Sequence, residues 1–121
     1  MNRRQLKYFK AKLVVWRDEL VRESSQTLMN LQEAGGAEPD LADRASTESD
    51  RSLELRTRDR ERKLIGKIEE ALGRIEDGSY GYCVETGEPI GLRRLEARPI
   101  ATLGIEAQER HERREKVYRD G

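Results

Sequence analysis

LKYFKAKLVVWRDEL, residues 6–20, is the stretch that decides the fold. Leu6, Phe9, Leu13, Trp16 and Leu20 recur at steps of three, four, three and four residues. That is the spacing of a coiled-coil seam, in which one apolar stripe of a helix faces a partner helix. The seam weakens at Ser24 and resumes at Leu28 and Leu31, with no glycine or proline between, so it predicts one helix over residues 2–34. Gly35-Gly36 ends that helix, because glycine accepts the left-handed conformation after a C-cap, and Pro39 blocks its continuation.

Beyond this break a second helix is expected from about Leu41 to Glu76. Leu53, Leu64, Ile68, Leu72 and Ile75 carry its apolar face, and Thr57 and Arg60 fill the weak middle positions. Gly66 is its soft spot, costing about 1 kcal/mol against alanine, and Asp77-Gly78 stops it. Two such helices joined by a short loop pair antiparallel. The expected hairpin is about 50 Å long at the helical rise per residue.

From Tyr80 to Leu103 the texture changes. Apolar residues come at spacings that fit a small hairpin and loops, punctuated by Gly78, Gly81, Gly87, Pro89 and Gly91. A compact knuckle is expected, with Tyr80, Tyr82, Ile90, Leu95, Ile100, Leu103 and Ile105 as its core. A last helix over about residues 104–119 offers Glu106–Arg110, Glu109–Arg113, Glu112–Lys116 and Glu115–Arg119 as i,i+4 pairs. The fold class read from the chain is therefore mostly α. Residues 1–77 make a long antiparallel coiled-coil hairpin with its tip at about 35–46, and residues 78–121 hold the knuckle and C-terminal helix.

Composition agrees with a thin molecule. Of 121 residues, 35% are hydrophobic and 40% charged, too few apolar groups for a large round core unless they are concentrated in a seam. The formal net charge is zero, which argues against a non-specific nucleic-acid binder, and no direct sequence-specific DNA binding is expected. The zero conceals a polarity. Residues 1–22 hold Arg3, Arg4, Lys7, Lys10, Lys12, Arg17 and Arg22 against Asp18 and Glu19, whereas residues 38–50 hold five acids against Arg44. Such a split fits a charged partner as well as it fits solvated helix faces. The single cysteine, Cys83, has no internal disulfide partner, and no apolar run approaches the length of a membrane span. A cytoplasmic protein, without membrane attachment, is the expectation.

Three stretches together resemble the DksA/TraR family of RNA-polymerase-binding proteins. Asp40-Leu41-Ala42-Asp43-Arg44-Ala45 matches the family's tip pattern D-x-x-D-x-A. Residues 52–65, SLELRTRDRERKLI, are close to the family's second arm helix. Tyr80-Gly81-Tyr82-Cys83 and Gly87 through Pro99 are similar to its knuckle. The likeness spans roughly residues 6–115, and three motifs stand in the family's order.

The resemblance implies a coiled-coil arm, a zinc-finger-like knuckle and a C-terminal helix. It implies a transcription regulator, not an enzyme, that inserts its arm into the polymerase secondary channel. There it modulates promoter complexes with the alarmone ppGpp, repressing ribosomal RNA promoters and activating some biosynthetic ones. The resemblance names Asp40, Asp43 and Ala45 as the polymerase-contacting tip. From the residues alone, one of the two aspartates also serves as N-cap of the second helix, which leaves the other exposed to a partner.

The family's ppGpp contact maps onto Leu64, Lys67 and Arg98, with Gln108 where a lysine is usual. Lys67 and Arg98 read equally as solvated surface charges. Many members hold zinc with two C-x-x-C pairs, and the four matching positions here are Cys83, Thr86, Gly104 and Ala107. One thiol of four is too few for a structural zinc site, so the site is degenerate and no zinc or other cofactor is expected. His111, set among Glu and Arg, is expected to be exposed and inert.

Two other classes of function compete with the regulator. A coiled-coil structural or adaptor protein would associate through the seam helix and has no use for a slim acidic apex. Such an adaptor would be oligomeric, whereas an insertion arm must be free in a monomer. Transcript hydrolysis would need more than two carboxylates, which supply neither a nucleophile nor a base constellation.

Overall fold

The computed structural model of the chain describes residues 1–34 and 41–120, and side chains over 1–32 and 48–117. Four helices follow one another: α1 (Arg3–Ala34), α2 (Leu41–Asp77), α3 (Leu92–Ala97) and α4 (Ile105–Asp120). Among the described residues the sole β feature is an isolated antiparallel bridge between Tyr82 and Pro89. The chain divides into two compact units, Val14–Glu69 and Met1–Leu13 with Glu70–Gly121.

The helix starts and stops follow from local chemistry. At the head of α1 the Gln5 N–H donates to Asn2 Oδ1 at 2.8 Å, and the Asn2 N–H donates back to Gln5 Oε1 at 3.1 Å. This reciprocal capping box satisfies two otherwise orphaned donors. Helix α2 stops as expected at Asp77-Gly78, where Gly78 takes φ 84°. The N–H groups of Ser79 and Tyr80 then close on the Arg74 carbonyl at 3.0 and 3.1 Å.

In the unit Val14–Glu69 the seam packs an antiparallel pair of helices. Leu20, Leu31 and Ile68 are buried there, and Leu28 and Leu64 half-buried. Leu53, expected on the apolar face of α2, is exposed, as is Leu55. The weak middle of the seam is polar. Glu54 and Glu61 each enclose one carboxylate oxygen that has no hydrogen-bond partner among the described residues. Burial, with Glu23 adding repulsion, pushes the Glu61 carboxyl above its ordinary range. Gly66 has open space where a Cβ would sit, so its cost to the helix is a matter of backbone entropy and not of packing.

The second unit is built around Tyr80. Its ring lies 5.9 Å from that of Phe9, and Leu13, Ala71, Ile90 and Leu95 are buried in the same unit. Two members of the expected knuckle core are instead exposed, Tyr82 and Ile105, and Ile100 and Leu103 are half-buried. Helix α3 was expected as loop. Gly91 before it and Pro99 after it punctuate so closely that only six residues remain, too few for periodicity to register.

Gly81 is required by its backbone: φ is 91°, and a Cβ there would come within 2.6 Å of Met1 Sδ. On α4 no ion pair within 4.0 Å joins Glu106–Arg110, Glu109–Arg113 or Glu112–Lys116, and Arg110 turns to Glu85 instead. Exposed pairs of this kind gain little from holding two long side chains in one geometry. The Glu115–Arg119 pair lies outside the described side chains.

Candidate functional site

Cys83, Thr86, Gly104 and Ala107 line one pocket of about 210 Å³, together with Ile90 and the start of α4. Two turns of backbone bring them there. The Cys83 N–H donates to the Glu88 carbonyl and the Gly87 N–H returns to the Cys83 carbonyl, both at 2.8 Å. Gly104 accepts the first helical bond of α4, from the Gln108 N–H at 3.0 Å. The four positions therefore share one pocket, but their donors do not fit zinc. Of the four, Cys83 alone carries a metal-ligating atom, and among the described residues no group of three or more His, Cys, Asp or Glu could hold a metal ion.

Other contacts hold this corner. The Val84 N–H donates to the Thr102 carbonyl at 2.9 Å, Arg94 Nε to the Leu103 carbonyl at 2.9 Å, and buried Tyr80 Oη to the Pro99 carbonyl at 2.8 Å. Glu85 ties the turn to α4 through His111, with Arg110 at 4.0 Å. His111, expected exposed and inert, keeps much of its side chain exposed and contacts Glu85. The partners are 26 residues apart in the chain, and no local pattern announces them. The contacts of Glu85 with His111 hold its carboxyl below the usual range.

The Cys83 thiol is drawn down to about 7, first by the Thr86 hydroxyl and then by the backbone N–H groups of Gly104, Thr86 and Glu85. A thiol lowered from its ordinary 9.0 favours the folded state in its ionised form. Its contribution is complete above pH 9 and disappears as pH falls through 7. Stability should therefore rise between pH 7 and 9 in the parent relative to Cys83→Ser. Urea midpoints of the two proteins across that range test this, and parallel pH profiles would refute it.

The ppGpp positions fall on two elements. Leu64, half-buried, and Lys67, exposed, sit three residues apart on α2. Arg98 is the exposed C-cap of α3, its N–H donating to the Arg94 carbonyl at 2.7 Å. Gln108, half-buried on α4, donates to Glu112 at 3.3 Å. The tip residues lie outside the described residues: Asp40 altogether, Asp43 and Ala45 as side chains within the first turns of α2.

Sequence reasoning passed over a second cluster. Lys12 Nζ donates to the Glu96 carbonyl and to Glu96 Oε1, both at 2.9 Å, while Tyr8 Oη donates to the same carboxylate at 2.8 Å. These bonds hold the Glu96 carboxyl low and fasten α3 against the first turns of α1. In the sequence Lys12 is one of the seven bases of residues 1–22 and Tyr8 carries no signal of its own; only the fold brings them to Glu96.

Comparison with known proteins matches residues 5–75 to the N-terminal domain of the DnaK suppressor protein DksA. Residues 78–113 match the prokaryotic dksA/traR C4-type zinc finger. The RNA polymerase-binding transcription factor DksA of Caulobacter vibrioides is 68% identical over 120 residues, covering 99% of this chain and 84% of its own. Its counterpart from Escherichia coli is 49% identical over 116 residues, covering 96% and 77%. The solved structure of transcription factor DksA2 from Pseudomonas aeruginosa superposes with a TM-score of 0.90 at 46% identity, over 96% of this chain and 89% of that one.

Proposed function

Because this chain belongs to the DksA/TraR family, we propose that it is a transcription regulator that binds RNA polymerase and catalyses no reaction of its own. The observation that carries the reading is the 68% identity, over 99% of this chain, to an RNA polymerase-binding transcription factor. The buried seam of Leu20, Leu31 and Ile68 supports it, since a stiff helical pair is what insertion into a channel needs.

In this reading residues 1–77 act as an arm, entering the secondary channel as a monomer in the cytoplasm. Asp40 and Asp43 meet basic groups or a hydrated divalent cation inside, with Ala45 keeping the tip slim. Leu64, Lys67 and Arg98 contact ppGpp in the polymerase complex, the two cations giving charge-assisted hydrogen bonds to its phosphates. Gln108 supplies no charge there, so the synergy is weaker than in a relative with lysine. Zinc is not required, because Tyr80, Arg94 and the Glu85–His111 contact hold the knuckle by protein groups alone.

The test is transcription in vitro from a ribosomal RNA promoter with the cognate polymerase, with and without ppGpp. Asp43→Asn keeps the shape and most of the capping ability of aspartate and removes its charge. The parent should inhibit, and the variant should lose that inhibition about tenfold or more even at saturating protein, as expected for a lost charged contact. A variant as active as the parent would refute the role of the tip charge. An inactive but folded parent would refute the polymerase reading.

A further inference from the structure

The middle of the helical pair in Val14–Glu69 holds carboxylates where a seam calls for apolar groups. Glu54 and Glu61 stand one heptad apart on α2. Each has one oxygen shut off from solvent with no hydrogen-bond donor among the described residues. An enclosed acceptor without a donor costs free energy, and more so when it is ionised. The neighbouring hydroxyls do not relieve it. Thr27 Oγ1 donates to the Glu23 carbonyl and Thr57 Oγ1 to the Leu53 carbonyl, both at 3.0 Å, so each is directed to its own helix.

The charges around Glu61 do not relieve it either. From α1, Glu23 bears on it and repels it, while Glu19 and Arg22 of the same helix are exposed. On α2, Arg58 is half-buried one turn before it, and Arg60 and Arg62 are exposed. Asp59 and Lys63 pair with each other. Among the described residues, Arg22, Arg58, Arg60 and Arg62 form no ion pair within 4.0 Å. Glu61 is therefore an acid held in the seam, facing a like charge and no engaged base.

We propose that this layer is a proton-operated joint in the helical pair: with Glu61 ionised the two helices part locally, and when Glu61 takes one proton from solvent its O–H donates to the Glu23 carboxylate and the joint closes. No covalent bond between heavy atoms changes, and the proton returns to solvent when the joint reopens. Enclosure, with Glu23 second, raises the Glu61 carboxyl above its ordinary 4.5. Its contribution to stability is therefore complete below 4.5 and is lost as pH rises through the higher value it has in the folded chain. The pair stiffens in acid and loosens toward neutrality. Polymerase is not needed for this joint, which belongs to the two helices alone.

The experiment measures amide hydrogen exchange of the full chain by NMR, as protection factors, at neutral pH and below 4.5. Parent, Glu61→Gln and Glu23→Gln are compared, and the Glu61 carboxyl is titrated through its side-chain carbon shift. Glutamine keeps the size of the protonated acid and can donate to Glu23 at any pH. At neutral pH, Glu61→Gln should protect the amides of residues 20–27 and 57–64 about fivefold more than the parent, the factor for one net hydrogen bond. On acidification the parent should gain that protection, and Glu61→Gln should not. Glu23→Gln should move the Glu61 titration down toward its ordinary value and shrink the acid gain.

Equal protection in parent and Glu61→Gln at neutral pH would overturn the joint. So would an acid gain that survives in Glu61→Gln, because another group would then be responsible. Should Glu61→Gln fail to fold, the parent and Glu23→Gln still decide: a Glu61 carboxyl that titrates at its ordinary value, or that ignores Glu23→Gln, overturns the proposal.

Discussion

Tyr80→Ala is expected to destabilise the protein by about 3–5 kcal/mol, the range for removing a large buried aromatic side chain. Tyr80 is 1% exposed, and it joins three parts of its unit at once. Its amide closes α2 on the Arg74 carbonyl, its ring meets Phe9 of α1, and its hydroxyl reaches the Pro99 carbonyl after α3. Burial pushes the phenol up to about 12, so the hydroxyl stays a neutral donor throughout the physiological range. Truncation leaves a cavity in a unit that has few other large side chains to refill it.

Tyr80→Phe separates the two contributions. It keeps the ring and loses only the hydrogen bond, so it should cost about 1–2 kcal/mol. Urea unfolding followed by circular dichroism gives both values, and hydrogen exchange at the Cys83 and Val84 amides reports the knuckle directly. A loss under about 1 kcal/mol for Tyr80→Ala would mean that this core does not hold the unit.

Ile68→Ala should cost about 2–5 kcal/mol through lost transfer energy and the cavity left behind. Ile68 is fully enclosed, in a helical pair whose seam has few other buried side chains. Alanine's better helix propensity returns only a few tenths of a kcal/mol. Leu53→Ala is the matched comparison: the same stripe, but 54% exposed, with an expected effect within about 0.5 kcal/mol. Equal losses at the two sites would show that the seam continues to Leu53, against the observed packing.

The contrast between Ile68 and Leu53 shows what periodicity conveys. Both fall on the expected apolar stripe of α2, because spacing reports which way a side chain points around a helix. Whether anything meets it depends on the facing helix, and in this unit the middle of the pair encloses carboxylate oxygens of Glu54 and Glu61 while Leu53 stays exposed. The knuckle behaves likewise. Tyr80 and Tyr82 are two residues apart with similar surroundings in sequence, yet one is 1% and the other 39% exposed. At the degenerate zinc positions the missing ligands were legible residue by residue. The Glu85–His111 contact beside them was not, because it forms between segments that only folding brings together.

By itself the sequence determined the two long helices, their ends and their family. Those features are local: a three-four repeat sets the seam, glycine and proline set the stops, and motif residues can be read in order along the chain. The tertiary structure alone decided which stripe residues are buried, that residues 92–97 form a helix, and that Tyr8, Lys12 and Glu96 meet. Those outcomes depend on contacts between residues as many as 88 positions apart. Local spacing carries no information at that separation, and the energy of such contacts exists only once the chain has closed upon itself.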